Sequence, residues 1–97
     1  MVNRINVRNV KTGNRSVVDL KGVFVSVGLK PNTEFLQGIV SLEKDGHIIT
    51  NDRMETEVPG IYAAGDVRKN SGMQAITAAG EGAAAAIHAH HYLSSLK

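Results

Sequence analysis

The chain has 97 residues and no cysteine. That absence excludes a disulfide framework, a thiolate metal centre and a redox dithiol within these residues. Aromatic side chains are few, two Tyr, two Phe and no Trp, and the net charge is only +2 with no run of Lys or Arg. A nucleic-acid surface needs a basic stripe interleaved with stacking rings, so none is expected. No apolar run approaches the ~20 residues that cross a bilayer. Arg4 and Asn6 interrupt any signal-peptide core at the start. These absences lead to an expectation of no membrane partner and a cytoplasmic setting. The length bounds the chain to one domain or less.

What is present alternates short β-formers with one long helical pattern, which reads as α/β. Ile5 and Val7 alternate with Asn6 and Arg8, predicting a strand over 4–10. Turn residues Lys11-Thr12-Gly13-Asn14 precede a second strand over 16–20, giving a hairpin. Val23-Phe24-Val25-Ser26-Val27 predicts a strand buried on both faces, ended by Gly28 and by Pro31. Asn32 or Thr33 is placed to cap a short helical turn through Leu36, closed by Gly38. Asp45-Gly46 between apolar stretches predicts a hairpin, with a strand over 47–50. A further strand is expected over 61–64 and a long helix over 74–95. In that helix Ile76, Ala79 or Gly80, Ala83, Ile87 and His90 recur at helical spacing. Gly80 and Gly82 each cost roughly 1 kcal/mol against alanine in a helix. Close approach of a strand or a flat ligand would explain them, with packing through Ala63, Ala64, Gly80 and Ala83.

The densest motif is Thr56-Glu57-Val58-Pro59-Gly60-Ile61-Tyr62-Ala63-Ala64-Gly65-Asp66. A Pro-Gly turn feeds a short apolar strand, small residues follow, and a carboxylate stands at the strand's carboxyl end. Open α/β sheets bind ligands there, and a carboxylate in that position can accept hydrogen bonds from sugar or polyol hydroxyls.

This segment resembles the second flavin-contacting motif of the pyridine nucleotide-disulfide oxidoreductases, particularly the low-molecular-weight thioredoxin reductases. Gly28-Leu29-Lys30-Pro31-Asn32-Thr33 resembles the family's G-x-x-P-N-T linker, and Gln74-Ala75-Ile76-Thr77-Ala78-Ala79-Gly80-Glu81-Gly82 the opening of its last helix. Three motifs in the family's order implicate the whole chain. The resemblance implies the C-terminal portion of a two-domain FAD/NAD(P)-binding Rossmann-like fold. Residues 1–28 would be the tail of the NAD(P)H-binding domain and residues 29–97 the C-terminal part of the FAD-binding domain. It further implies FAD as cofactor, NADPH bound by segments outside the chain, and a thioredoxin-like protein disulfide as partner of the whole enzyme.

The implied cofactor-binding residues are Gly65, Asp66, Met73, Gln74, Ala75 and Ile76, with Asp66 on a ribityl hydroxyl and the helix-start N–H groups on the flavin's pyrimidine carbonyl. Met73 stands where the family commonly has Arg or Lys, so the reading there rests on the backbone. No catalytic residue and no metal ligand is assigned, and the 97 residues alone are expected to lack disulfide reductase activity. A thioredoxin reductase-like ferredoxin–NADP reductase, a peroxiredoxin-reductase flavoprotein and a non-catalytic self-associating fragment remain as alternatives. Strands meant for partners outside the chain lead to a homodimer or domain-swapped oligomer.

Three further patterns are read as structural. Gly80-Glu81-Gly82-Ala83-Ala84-Ala85 fits G-x-G-x-x-A, but it lies inside a helical pattern rather than after a strand, so it is a small-residue packing face. His88 and His91 stand one turn apart with no third ligand of suitable type nearby, and His88, His90 and His91 are read as imidazoles favoured by a helix C-terminus. Arg68 and Lys69 are read as a solvated loop, with attraction of a phosphate or protein partner as the alternative.

Overall fold

The computed structural model describes residues 1–97. Its regular elements are β1 (Arg4–Arg8), β2 (Arg15–Asp19), a single 3-10 turn (Glu34–Leu36) and α1 (Ala75–Ser95). β1 and β2 pair antiparallel, from Arg4 opposite Asp19 to Arg8 opposite Arg15. The first strand stops at Arg8, two residues early. The side-chain oxygen of Asn9 accepts the N–H groups of Lys11 and Thr12 at 2.9 and 3.2 Å and turns the chain. Both faces of the hairpin are open to solvent apart from Ile5, and the hairpin touches neither the 3-10 turn nor α1. The molecule is 66 Å long and 27 Å wide.

The strand expected over 23–27 does not form. Val23 to Val27 make no backbone hydrogen bond, and Phe24, Val25 and Val27 are 99%, 81% and 91% exposed. Hydrophobic β-formers create a strand only where another strand supplies the ladder, and β1 and β2 pair with each other alone.

Every buried residue lies in the stretch from Thr33 to Gly65. Val40, Ile48 and Ala63 form the centre, with Leu36, Leu42, Val58 and Val67 packed around them. The strands expected over 47–50 and 61–64 shrink here to isolated bridges, Leu42 with Ile48, Ile48 with Arg68, and Glu55 with Tyr62. The Asp45-Gly46 hairpin is present in this reduced form. Glu43 donates its N–H to the His47 carbonyl at 2.8 Å, and Gly46 turns the chain at φ +94°. The His47 ring and backbone N–H hold the Asp45 carboxyl below its ordinary value.

Thr33 flanks the 3-10 turn at its cap position, yet its hydroxyl makes no cap bond. It donates instead to the carbonyl of Gly46, thirteen residues away, tying the linker to the hairpin. Thr33 is 2% exposed, so the bond has no competing water. Thr33→Val keeps the volume but orphans that carbonyl, and should lower stability by about 1–2 kcal/mol. Denaturant titration checks this, with Thr33→Ser, which retains the hydroxyl, as the control; wild-type stability in Thr33→Val would remove the role of the bond.

Candidate functional site

The motif segment is built as the sequence suggests at its start. Val58-Pro59-Gly60-Ile61 is a tight turn, closed by the Ile61 N–H on the Val58 carbonyl at 3.1 Å, with Gly60 at φ +86°. Proline in the second position and a left-handed glycine in the third are the requirements of a type II turn. The Thr56 N–H donates to the Ile61 carbonyl at 3.0 Å and the Ala63 N–H to the Met54 carbonyl at 3.0 Å, so the segment pairs with residues 54–56.

From Gly60 to Gly65 the chain runs antiparallel along one face of α1. A Cβ on Gly60 would meet the Tyr92 ring at 3.3 Å, the Tyr62 hydroxyl donates to the His88 carbonyl at 3.3 Å, and a Cβ on Gly65 would meet Ala78 Cβ at 3.5 Å. Among the half-buried positions of the helix, Ala78, Glu81, Ala85, His88 and Tyr92 follow this seam at intervals of three and four, with Ala84 and Ala89 at its side. The expected packing through Gly80 and Ala83 is therefore corrected. Ala63 is buried, but against Val40 and Ile48. Gly80 and Gly82 face open space. Ile76 and Ile87 are 81% and 55% exposed, so the apolar spacing marks the opposite, uncovered face.

Glu81 and Arg68 are the site residues that sequence reasoning missed. The Gly65 N–H donates to Glu81 Oε2 at 2.7 Å, and Arg68 Nε reaches the same oxygen at 3.3 Å. Both side chains are nearly covered, 14% and 12% exposed. Arg68 is thus not a solvated loop residue, whereas Lys69 is 40% exposed and pairs with Glu43 at 2.7 Å. The available signal was the lone acid in an Ala-Gly helix and a lone arginine two residues after Asp66.

Asp66 follows Gly65 in a turn closed by the Arg68 N–H on the Gly65 carbonyl at 3.0 Å. Gly65 holds φ +82° and is buried, whereas Asp66 is exposed and its carboxylate makes no hydrogen bond or ion pair. The chain then returns to the helix through two left-handed residues, Asn70 at φ +60° and Met73 at φ +53°. The Met73 N–H is taken by the Ser71 hydroxyl at 3.3 Å. Gln74 is the N-cap, extended and without a side-chain cap bond, so the Ala75 and Ile76 N–H groups stand at the positive end of α1 with no acceptor. None of the five principal cavities is lined by Asp66 or by Gln74, Ala75 and Ile76. Asp66, Gln74, Ala75 and Ile76 thus lie on an open surface, while Gly65 is buried and Met73 lines a small hollow with Lys69 and Asn70. Gly65 meets the first turn of α1, and the turn at Asp66 and the start of the helix flank that contact.

A groove of about 380 Å³ beside the helix's C-terminal half lies between the Pro59-Gly60 turn and His88, His91 and Tyr92. The histidines are not in the last turn, which has no basic residue, so the helix-end field does not account for them. No three metal-ligating side chains converge.

The approach to the helix is tight at Gly72, where an added Cβ would lie 2.8 Å from Thr77 Oγ1. Gly72→Ala should destabilise this junction by about 1–3 kcal/mol. Thermal unfolding followed by circular dichroism measures it, and combining it with Thr77→Ala should recover most of the loss.

Known proteins share this sequence and this arrangement. A family described as "Pyridine nucleotide-disulphide oxidoreductase" matches residues 1–82. The chain is 45% identical over 93 residues to thioredoxin reductase 1, mitochondrial, of Arabidopsis thaliana, covering 95% of this chain and 25% of that protein. It is 50% identical over 76 residues to an alkyl hydroperoxide reductase component from Xanthomonas campestris pv. phaseoli, covering 78% of this chain and 14% of the other. The crystal structure of Lactococcus lactis thioredoxin reductase superposes with a TM-score of 0.77 at 40% identity, over 96% of this chain and 31% of that one. The chain spans about a quarter of the length of the first of these relatives.

Proposed function

The chain belongs to the pyridine nucleotide-disulphide oxidoreductase family, and we propose that it forms the C-terminal FAD-binding segment of an NADPH-dependent flavin disulfide oxidoreductase of the thioredoxin reductase type. One observation carries the reading. A partnerless, exposed carboxylate, Asp66, lies on a turn packed by Gly65 against a helix start whose Ala75 and Ile76 N–H groups lack acceptors. An acceptor suits ribityl hydroxyls, and donors at a positive helix end suit a carbonyl that gains negative charge on reduction. The residues present therefore fit the flavin's polar edge.

In this reading Asp66 orients the ribityl chain, and the buried Gly65 backbone admits it closely. Gln74, Ala75 and Ile76 hold the pyrimidine edge through the backbone. Met73 supports them by its left-handed turn rather than its N–H, which Ser71 occupies. Bound FAD would supply a two-electron carrier between a nicotinamide and a disulfide, with NADPH and the dithiol held by segments outside these residues. Residues 1–28 are assigned to the tail of the nucleotide domain and 29–97 to the flavin domain; a hairpin that touches neither the 3-10 turn nor α1 supports that division. A thioredoxin-like disulfide is the proposed partner, and relatives described as both thioredoxin and alkyl hydroperoxide reductases agree with a segment that serves the flavin rather than the acceptor.

In the full-length flavoprotein, Asp66→Ala should weaken FAD binding about tenfold, the effect of one charge-assisted hydrogen bond. Equilibrium dialysis measures it, and full flavin retention by the variant would remove the assignment.

A second reading, for the 97 residues by themselves, is a non-catalytic self-associating chain. The bare 23–27 segment and the uncovered Ile76 and Ile87 favour it. A homodimer, formed by exchange of the N-terminal hairpin or by apposed helices, is then expected. Sedimentation at several concentrations should give a mass above one chain; a single-chain mass throughout would exclude it.

A further inference from the structure

We propose that Glu81 is a positioning residue that sets Asp66 relative to the start of α1, an inference that rests on the flavin reading above. The turn carrying Asp66 begins at Gly65 and ends at Arg68. Glu81 grips both ends. Its Oε2 accepts from the Gly65 N–H at 2.7 Å and from Arg68 Nε at 3.3 Å, and its Oε1 accepts from Arg68 Nη2 at 3.5 Å. The pair is nearly covered, so water does not screen it as it would an exposed one.

Glu81 stands two helical turns beyond Gln74, on the rod whose first N–H groups are the other half of the candidate site. The same turn is held from its far side by Ile48, whose N–H donates to the Val67 carbonyl and whose carbonyl accepts the Lys69 N–H, both at 2.8 Å. Two tethers with different ends therefore act on one turn. The backbone tether fixes it to the buried centre, and the carboxylate tether fixes it to the helix. Losing only the second leaves the fold around Val40, Ile48 and Ala63 intact while the Asp66 carboxylate loses its registry with the helix N-terminus. Glu81 acts through the turn it holds, by way of the Gly65 N–H and Arg68, and makes no hydrogen bond to Asp66 itself. The pattern that resembles a dinucleotide fingerprint, Gly80-Glu81-Gly82, thus has its working residue at the middle position, with both glycines facing open space.

A double-mutant cycle in the full-length flavoprotein tests this. FAD dissociation constants are measured by titrating apoprotein with FAD for the wild type, Asp66→Ala, Glu81→Ala and the combined variant, with apoprotein thermal midpoints alongside. Glu81→Ala is expected to weaken FAD binding about tenfold in the wild-type background, and Glu81→Gln by less, because its amide oxygen still accepts the Gly65 N–H. In the Asp66→Ala background, removing Glu81 should cost nothing further, since the group it positions is gone. The same factor in both backgrounds would mean a general structural role and would overturn the proposal, as would wild-type affinity in Glu81→Ala. If Glu81→Ala fails to fold, the cycle is run with Glu81→Gln and read by the same criteria. Asp66→Ala that binds FAD like the wild type removes the flavin reading itself and this proposal with it. Asp66→Ala that is weakened while Glu81→Ala is not removes only the role of Glu81.

Discussion

One carboxylate, that of Glu81, makes the side-chain hydrogen bonds that join the N-terminal half of the one long helix to the Asp66 turn. α1 has 21 residues and a face of Ala and Gly, so its own packing offers little apolar area. Tyr92 over Gly60 and Tyr62 on the His88 carbonyl secure the C-terminal half. Near the N-terminal half the joining contacts are Ala78 against Gly65 and the bonds of Glu81. A covered ion pair is often no better than an apolar pair of equal size, but stripping one partner from it costs about 3–5 kcal/mol because the other charge is left unpaired. Glu81 escapes much of the desolvation penalty by also accepting a backbone N–H, so its charge meets donors on two sides. Direction is what such a contact contributes, and small side chains cannot supply it.

The buried centre explains why direction is needed. Seven residues are buried, and none belongs to α1, β1 or β2. The centre is made by loops that pair through single bridges, with Ile48 linked to Leu42 on one side and to Arg68 on the other. Polar side chains carry what a sheet would otherwise carry. Thr33 spans from the linker to the Gly46 turn, and Thr56 donates to the Ile61 carbonyl at 2.9 Å beside the Pro59-Gly60 turn. A body built in this way keeps its turns fixed without a large apolar interior.

Much of this is legible in the residues, and the reasons differ from place to place. The Asn-containing first turn, the Asp45-Gly46 hairpin, the Pro59-Gly60 turn and the long helix depend on local chemistry, and all four appear. Val23 to Val27 departs from its expected strand because β-propensity records a preference for a pleated, half-buried surface and not the presence of a neighbour. Ile76, Ala83 and Ile87 do share one helical face, but periodicity does not say what covers a face. Inside these 97 residues the helix packs through Ala78, Glu81, Ala85, His88 and Tyr92 instead. The pairing of Arg68 with Glu81, thirteen residues apart, has no periodic signature, since it depends on the antiparallel run of the motif along the helix. Thr33 shows the same limit: its cap position is visible in the sequence, whereas its bond to Gly46 is tertiary.

The two bare apolar surfaces and the polar site have a common logic under the flavin reading. The polar groups gathered here, one carboxylate and the N–H groups of a helix start, match one edge of a large cofactor. They include no glycine-rich strand-to-helix turn of the kind that receives a pyrophosphate. A cofactor bound only at that edge would leave its remaining surface in water, and the entropy of holding it would go largely uncompensated. Binding strength must then come from surfaces apposed to this one, and those surfaces would meet the chain where it is uncovered, along Ile76 and Ile87 and along residues 23–27. The helix is therefore asked to serve two sides at once. Its Glu81 face fixes the Asp66 turn, and its opposite face is left small and apolar, so that a second layer can approach without displacing the first. Gly80 and Ala83, on or beside that face, leave room for such a layer.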